Sequence, residues 1–483
     1  MYDKALSHVY SCESLKNDSY NDDNHICKCS SKLDNCPAWI CEIHGIEKII
    51  LSSNTRTTCL WSIIIFISFI GCILMTTSVT LEFMRGDTST STSIIVAPSL
   101  KLPALTICPK SGDILNFRGI FKELKVFHPN ISIEVSKDLI QYFLGGNGFQ
   151  NMDRIKNFER TYVDYLELLY NIWSYTYSTE DFFFYIYKKY GYKCNDLFVE
   201  CYFNGYIVDC CQKLFRKISV LRRGICYQTI ENLTQTELDD AGKLKIKMRA
   251  PLSTTKNNSL TKTQLIVYVN DNFDIVTTER KFYIYPNLYN NLILRVRHIN
   301  LVNKYSACSN EIEGDDGGCI VRRWLKSNII GVHNCTFAYL RHITINESYS
   351  ICNLSKIVRF YYGNIDNLKK THKSNIKCVP GCKRWQYFVT HQKSDAITHF
   401  VGYNFYLDMS FLTMQYEEIK ESYTTSIPAF MAQIGGQFGF FLGISIITML
   451  QIIIYLHEKL LTLIFGGKIA RQFNAFFTKF LEL

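Results

Sequence analysis

The stretch Ile434–Gln451, IGGQFGFFLGISIITMLQ, holds the residues whose types and spacing can do chemistry. Gly443-Ile444-Ser445 is the sharpest element. Glycine lets a helix open into a short extended segment, and a ring of backbone carbonyls with the Ser445 hydroxyl can then replace part of the water shell of a small cation. Around it, Gln433, Gln437, Ser445, Thr448 and Gln451 recur at steps of three, four or eight and gather the polar groups on one helical face. Polar amides facing lipid are costly, so this face calls for protein or water, and repeated around a symmetry axis it would line a pore. Gly435, Gly439 and Gly443 recur every four residues on a second stripe. Small residues at that spacing let helices approach closely, so helix packing alone is a sufficient reading of the glycines.

These residues need an element that holds them in an apolar surrounding. Thr58–Leu81 and Ile427–Leu456 contain no Asp, Glu, Lys or Arg. A helix of about 20 such residues crosses the hydrocarbon core, and globular helices rarely run as long without a charge. The expected layout is a cytosolic tail over 1–56, a first span over 57–81, an ectodomain over 82–426, a second span over 427–457 and a cytosolic tail over 458–483. Residues 1–56 are polar and show no cleaved-signal pattern, so the first span is read as its own targeting signal. Lys459, Lys468, Arg471 and Lys479 follow the second span, whereas Glu82 and Asp87 flank Arg85 past the first, a bias that puts both tails in the cytosol of a plasma-membrane protein.

Six Asn-X-Ser/Thr sequons, at Asn130, Asn232, Asn257, Asn334, Asn346 and Asn353, lie between the spans, against Asn17 in the tails. Such sites suit an extracellular, glycosylated segment. Of 19 cysteines, twelve lie there too: Cys108, Cys194, Cys201, Cys210, Cys211, Cys226, Cys308, Cys319, Cys335, Cys352, Cys378 and Cys382. An even number crowded into such a segment reads as a disulfide framework. The alternative, a zinc site using residues such as Cys378 and Cys382, belongs to a cytosolic domain, and no metal is expected. Cys27, Cys29, Cys36 and Cys41 are expected to stay reduced.

The rest of the chain supports these elements. Residues 1 to 40 have a disordered composition, and Trp39–Ser53 carries apolar residues around His44-Gly45. The run GDTSTSTS reads as a flexible connection, and Ser99–Cys108 as a strand entering the core. Residues 110–195 have helical spacing and are expected to form a layer on a sheet, while QLIVYVN, KFYIYP and NFYLDMSF read as strands. Glu311, Glu313, Asp315 and Asp316 are either a polar loop or a proton-sensing cluster. The net charge of +10 is spread without a basic block, which argues against a nucleic-acid partner. No nucleophile elbow, HExxH or phosphate loop appears, so no enzyme or cofactor is expected; sodium enters only as a permeant ion.

GGQFGFFLGIS, Gly435–Ser445, closely resembles the second-span signature of the degenerin/epithelial sodium channel family. His44-Gly45 looks like its His-Gly motif, and Leu102–Cys108 (LPALTIC) like the strand after its first span, with Leu102 where the family has Phe. Cys201–Gly205, Gly224–Tyr227 and Cys378–Cys382 (CVPGC) look like further landmarks. The resemblance runs in the family's order from residue 44 to residue 455. It implies a membrane α + β fold resembling acid-sensing channels: two transmembrane helices and a large disulfide-rich α/β ectodomain with a β-sheet palm and helical finger and thumb. It further implies a trimer with two identical or homologous partner subunits, a Gly443-Ile444-Ser445 selectivity constriction, pore-lining Gln433, Gln437, Thr448 and Gln451, and gating roles for His44 and Gly45. Cys108 is expected to pair with Cys226 and Cys201 with Cys210, with an extra pair open to Cys194 and Cys211.

The sequence departs from that pattern at Gln451 and Ile454, where many members carry acids, and often at Gln433. Carboxylate rings attract cations, so their loss lowers cation occupancy; Glu417, Glu418 and Glu421 either compensate from a vestibule or form an ordinary solvated face. The expected function is a sodium- or cation-selective, amiloride-sensitive channel gated by an extracellular ligand or mechanical stimulus. The alternative is a non-conducting, modulatory or adhesion-like subunit of the same architecture. An ATP-gated channel shares the two spans, but its phosphate-binding lysine cluster is not evident.

Overall fold

A computed structural model describes residues 45–110, 115–250, 264–271, 273–276, 281–303, 307–310, 316–344, 349–366, 378–396 and 400–465. It divides into two compact units, Ser89–Ser422 and the segments before and after it.

In the flanking unit, helix α1 spans Ile46–Leu51 and α2 spans Thr55–Arg85. Asn54 starts α2 by accepting a hydrogen bond from the Arg56 amide, and Gly86, in left-handed backbone, ends it. The helix is long and apolar enough to cross a membrane. Only Cys72 along it is buried.

The Ser89–Ser422 unit opens with β1 (Thr88–Val96). This corrects the flexible connection expected from GDTSTSTS. Thr, Ile and Val pay little to be extended, and a partner strand supplies the ladder that Ser and Thr composition alone does not reveal. After β2 (Ala104–Pro109) come helices α3 (Phe117–Phe127), α4 (Ile133–Gly146), α5 (Arg160–Trp173) and α6 (Thr179–Tyr190). Asn116, Ser132 and Ser178 cap α3, α4 and α6 by accepting from Gly119, Val135 and Asp181 amides. The strands that follow are β3 (Phe198–Phe203), β4 (Tyr206–Val208), β5 (Phe215–Val220), β6 (Gly224–Thr229), β7 (Leu244–Met248), β8 (Leu265–Asn270), β9 (Lys281–Ile284) and β10 (Leu288–Asn300). Next are α7 (Gly317–Leu325) and α8 (Leu354–Arg359), then β11 (Lys383–Asp395), β12 (Phe405–Phe411) and β13 (Gln415–Tyr423). Returning to the flanking unit, the described residues close with α9 (Ile427–Leu442) and α10 (Ile446–Phe465).

Two sheets form. The larger runs β1-β13-β10-β12-β7-β3-β4, with β11 on the other edge of β10; the smaller runs β9-β8-β2-β6-β5. Strand β8 shows why both faces of the smaller sheet are covered. Leu265, Val267 and Val269 join a core shared with Leu244, Ile246, Leu407 and Met409 of the larger sheet, while Ile266 and Tyr268 enter a second core with Cys108 and Cys226. Period-two alternation thus serves two apolar layers at once.

The helices α3 to α6 gather around one core, against which Ile225 of β6 in the smaller sheet also packs. Their aromatic core, with Phe143, Phe182 and Phe183 fully buried, is completed by Leu325, Tyr339, Leu354 and Tyr361 from the later helical region. Six disulfides tie the unit: Cys108–Cys226, Cys194–Cys211, Cys201–Cys210, Cys308–Cys382, Cys319–Cys378 and Cys335–Cys352. The last three are nested in sequence, each loop enclosing the next. Cys378 and Cys382 therefore belong to different bonds, and neither is a thiolate able to hold zinc.

Candidate functional site

The apolar run that begins at Ile427 is two helices rather than one. Ser426 caps the first, α9, by accepting from the Ala429 amide, and Pro428 in its first turn gives up an amide that has no intrahelical partner anyway. At the other end Gly443 takes φ 68° and ψ 12°, a left-handed conformation that strains any residue with a Cβ. Its amide donates to the Gly439 carbonyl at 3.0 Å and the Ile444 amide to the Phe438 carbonyl at 3.3 Å, closing the last turn.

Two residues later the chain starts a helix again. The Ser445 hydroxyl accepts from the Thr448 amide at 3.1 Å and meets the Thr448 hydroxyl at 2.9 Å, while the Ser445 carbonyl accepts from Met449. Ser445 is thus the N-cap of α10, and its hydroxyl lies at a helix N-terminus. The two halves are bent by 85°. Gly443-Ile444-Ser445 is therefore the non-helical hinge itself, with a C-cap on one side and an N-cap on the other.

The break divides the polar stripe that an unbroken helix would present as one face. Gln433 on α9 is exposed and Ser445 is exposed, whereas Thr448 is 1% exposed. Gln451 lies within α10. Gln437 turns to the first long helix, where Thr76 Oγ1 donates to its Oε1 at 3.0 Å. Nearby, a Cβ on Gly71 would come within 2.9 Å of the Phe441 ring, so glycine is what lets α9 approach α2 there. Phe83 and Phe430 stack with centroids 4.2 Å apart. Sequence reasoning missed Thr76; the polar run Thr76-Thr77-Ser78 inside an apolar span was the available signal.

Gly45, with φ 87°, immediately precedes α1, which packs along α2. His44 lies outside the described residues, as do Asn257, Asn346 and Glu311 to Asp315. Asn130, Asn232, Asn334 and Asn353 are exposed. Asn353 also caps α8, accepting from the Ser355 and Lys356 amides. The acids above the second apolar run are engaged on neighbouring strands. Arg297 donates to Glu417 at 2.6 Å, His298 lies 3.3 Å from Glu418, and Glu421 accepts from the Val302 amide at 2.9 Å. Glu417 and Glu418 thus pair across the β10–β13 ladder, and Glu421 ties the chain just beyond it.

A family model described as the amiloride-sensitive sodium channel matches residues 40–455. The chain belongs to that family. The match takes in α1, both long apolar segments as far as Tyr455, and the whole disulfide-bonded unit. Among curated proteins, acid-sensing ion channel 1C of Danio rerio is 35% identical over 66 residues, a stretch covering 14% of this chain and 12% of that one. Among solved structures, a proton-activated chloride channel aligns over 80% of this chain and 93% of its own, at 6% identity and a TM-score of 0.31. For a member of the amiloride-sensitive sodium channel family, the hinge at Gly443–Ser445 is the part of the chain where backbone polar groups leave helical pairing inside an apolar segment.

Proposed function

We propose that this chain is one subunit of a trimeric plasma-membrane channel, selective for sodium or for small cations, with Gly443-Ile444-Ser445 at its narrowest point. The observation that carries the reading is the hinge. Opening a helix inside an apolar segment is tolerable only where the freed backbone faces protein or water, and a glycine C-cap followed two residues later by a serine N-cap makes it a built feature. In this reading α9 and α10 together form the second span, 82–426 is extracellular and glycosylated, both termini are cytosolic, and an extracellular ligand or mechanical stimulus opens an amiloride-sensitive pore. Gln433, Gln437, Thr448 and Gln451 serve the pore wall, and His44-Gly45 serves gating from the cytosolic side.

Expression in oocytes under voltage clamp, alone and with family subunits, tests it. Gln451→Glu is expected to raise cation conductance or divalent block by restoring a charged ring. An unchanged current and reversal potential removes residue 451 from the pore. A second reading, a non-conducting subunit, draws support from Gln451 and Ile454, where acids are missing, and from Gln437, whose amide meets Thr76. Current that never appears in any subunit combination, despite surface delivery, establishes that reading.

A further inference from the structure

A cavity of about 570 Å³ opens where α6, β5 and the helical turn Ala338–Thr344 meet, within the Ser89–Ser422 unit. Its apolar wall combines the aromatics Phe184 and Tyr187 from α6 and Phe273 after β8 with Ile218 and Ile225. The wall is stiff, because the Tyr187 ring packs on Phe183 at 4.7 Å and on Phe149 at 6.0 Å. Phe184 stays 44% exposed, which leaves a large apolar face turned to the opening.

Three cations stand at the same cavity, Lys188 on α6 and Arg216 and Lys217 on β5, against one acid, Asp274. The Arg216 guanidinium is fixed in advance, donating to Gln228 Oε1 at 3.2 Å and to the Phe273 carbonyl at 2.8 Å. The volume lies in the range of sites for drug-sized molecules, about 300–1,000 Å³, which typically pair an apolar lining with a few placed polar groups. A neutral apolar ligand would desolvate the cations without return. A compact polyanion would leave the aromatic wall unused.

We propose that this cavity binds a small organic anion with an aromatic body and a single carboxylate or sulfonate, the ring on Phe184 and Tyr187 and the charge toward Lys188 and Lys217. Binding at this site goes beyond the channel reading and is measured without current, so either stands if the other fails.

The test is photolabelling of the purified full-length chain with benzophenone-4-carboxylate, followed by mass-spectrometric mapping. Adducts are expected on the peptides carrying Phe184, Tyr187 and Ile218. Labelling should fall by about tenfold in the Lys188→Glu/Lys217→Glu double variant, equivalent to about 1.4 kcal/mol of binding, and by a similar factor when the uncharged carboxamide replaces the carboxylate. The Lys188→Arg/Lys217→Arg variant should keep the label, which separates charge from folding. Equal labelling by the carboxamide, label unchanged in the double Glu variant, label lost in the Arg variant, or adducts only elsewhere would each overturn the proposal.

Discussion

The two units of this chain place their apolar surface in opposite directions. In Ser89–Ser422 a core of large aromatics turns inward, with Phe143, Phe149, Phe182, Phe183 and Phe337 each buried to within 1%. In α2 large apolar side chains turn outward, with Phe66 64% and Leu74 65% exposed. Cross-linking follows the same division. Among the described residues every disulfide lies in the first unit, while the two free cysteines, Cys59 and Cys72, lie on α2. The first unit gains from excluding water, and its loops are tied against chain entropy. If the second unit lies in a membrane, as proposed, water exclusion does not drive its helices together, and close approach at Gly71, the Phe83–Phe430 stack and the Thr76–Gln437 hydrogen bond are what hold them.

Breaking the longest tie tests that contrast most severely. Cys108–Cys226 closes a loop of 118 residues at the buried centre of the smaller sheet, whereas Cys201–Cys210 closes one of 9. Chain entropy assigns the first about 4–5 kcal/mol and the second less than about 3 kcal/mol. Surface delivery of Cys108→Ser or Cys226→Ser should collapse, and the double variant should be no worse than either. Cys59→Ser on α2 should leave delivery intact. Additive losses would show that the two cysteines act separately.

Next in size is a half-buried polar tie. Glu123 on α3 accepts from Trp173 at 2.9 Å, Tyr185 at 2.9 Å and Lys189 at 2.6 Å, and also from the Tyr190 hydroxyl. Burial pushes its pKa up, but these donors together outweigh burial and hold it below the ordinary 4.5. The folded value is depressed, so the stabilisation is complete above that ordinary value and is lost as pH falls through the folded one. Glu123→Gln should cost about 1–3 kcal/mol near neutral pH. It should also flatten the loss of thermal stability on acidification. A variant as acid-sensitive as the parent would remove Glu123 from that slope.

The hinge of the helical unit ranks third in stability, and on the proposed channel reading it carries the largest functional effect. Gly443→Leu forces a side chain into left-handed backbone at about 1–2 kcal/mol and should degrade sodium selectivity, read as a shifted reversal potential. Gly443→Asn, a residue that tolerates this conformation, should shift it less. Equal effects would mean that side-chain bulk rather than backbone conformation matters there. Smallest is Thr76→Val, which removes one interhelical hydrogen bond of about 0.6 kcal/mol. In a double-mutant cycle with Gln437→Leu on thermal stability, the coupling should appear at that size. Zero coupling would leave packing as the only contact between α2 and α9.

Much of this was legible in the amino-acid order, for local reasons. Charge-free length marked the α2 segment, capping residues such as Ser132 and Ser178 sit where helices begin, and Gly443 is where a helix can stop. Alternation placed Phe405, Leu407, Met409 and Phe411 on one buried face of β12. The tertiary structure alone decided the rest. Whether Thr88–Val96 becomes a strand depends on the edge of β13 being there to pair with it. The nesting of Cys308–Cys382 around Cys319–Cys378 and Cys335–Cys352 depends on which sulfurs the fold brings together, which spacing leaves open. Gln437 lies on the polar stripe by its number in the sequence, but the helix that passes beside it determines that its amide meets Thr76. Local propensity is written in neighbours along the chain, whereas partners hundreds of residues away are chosen only when burial closes the fold.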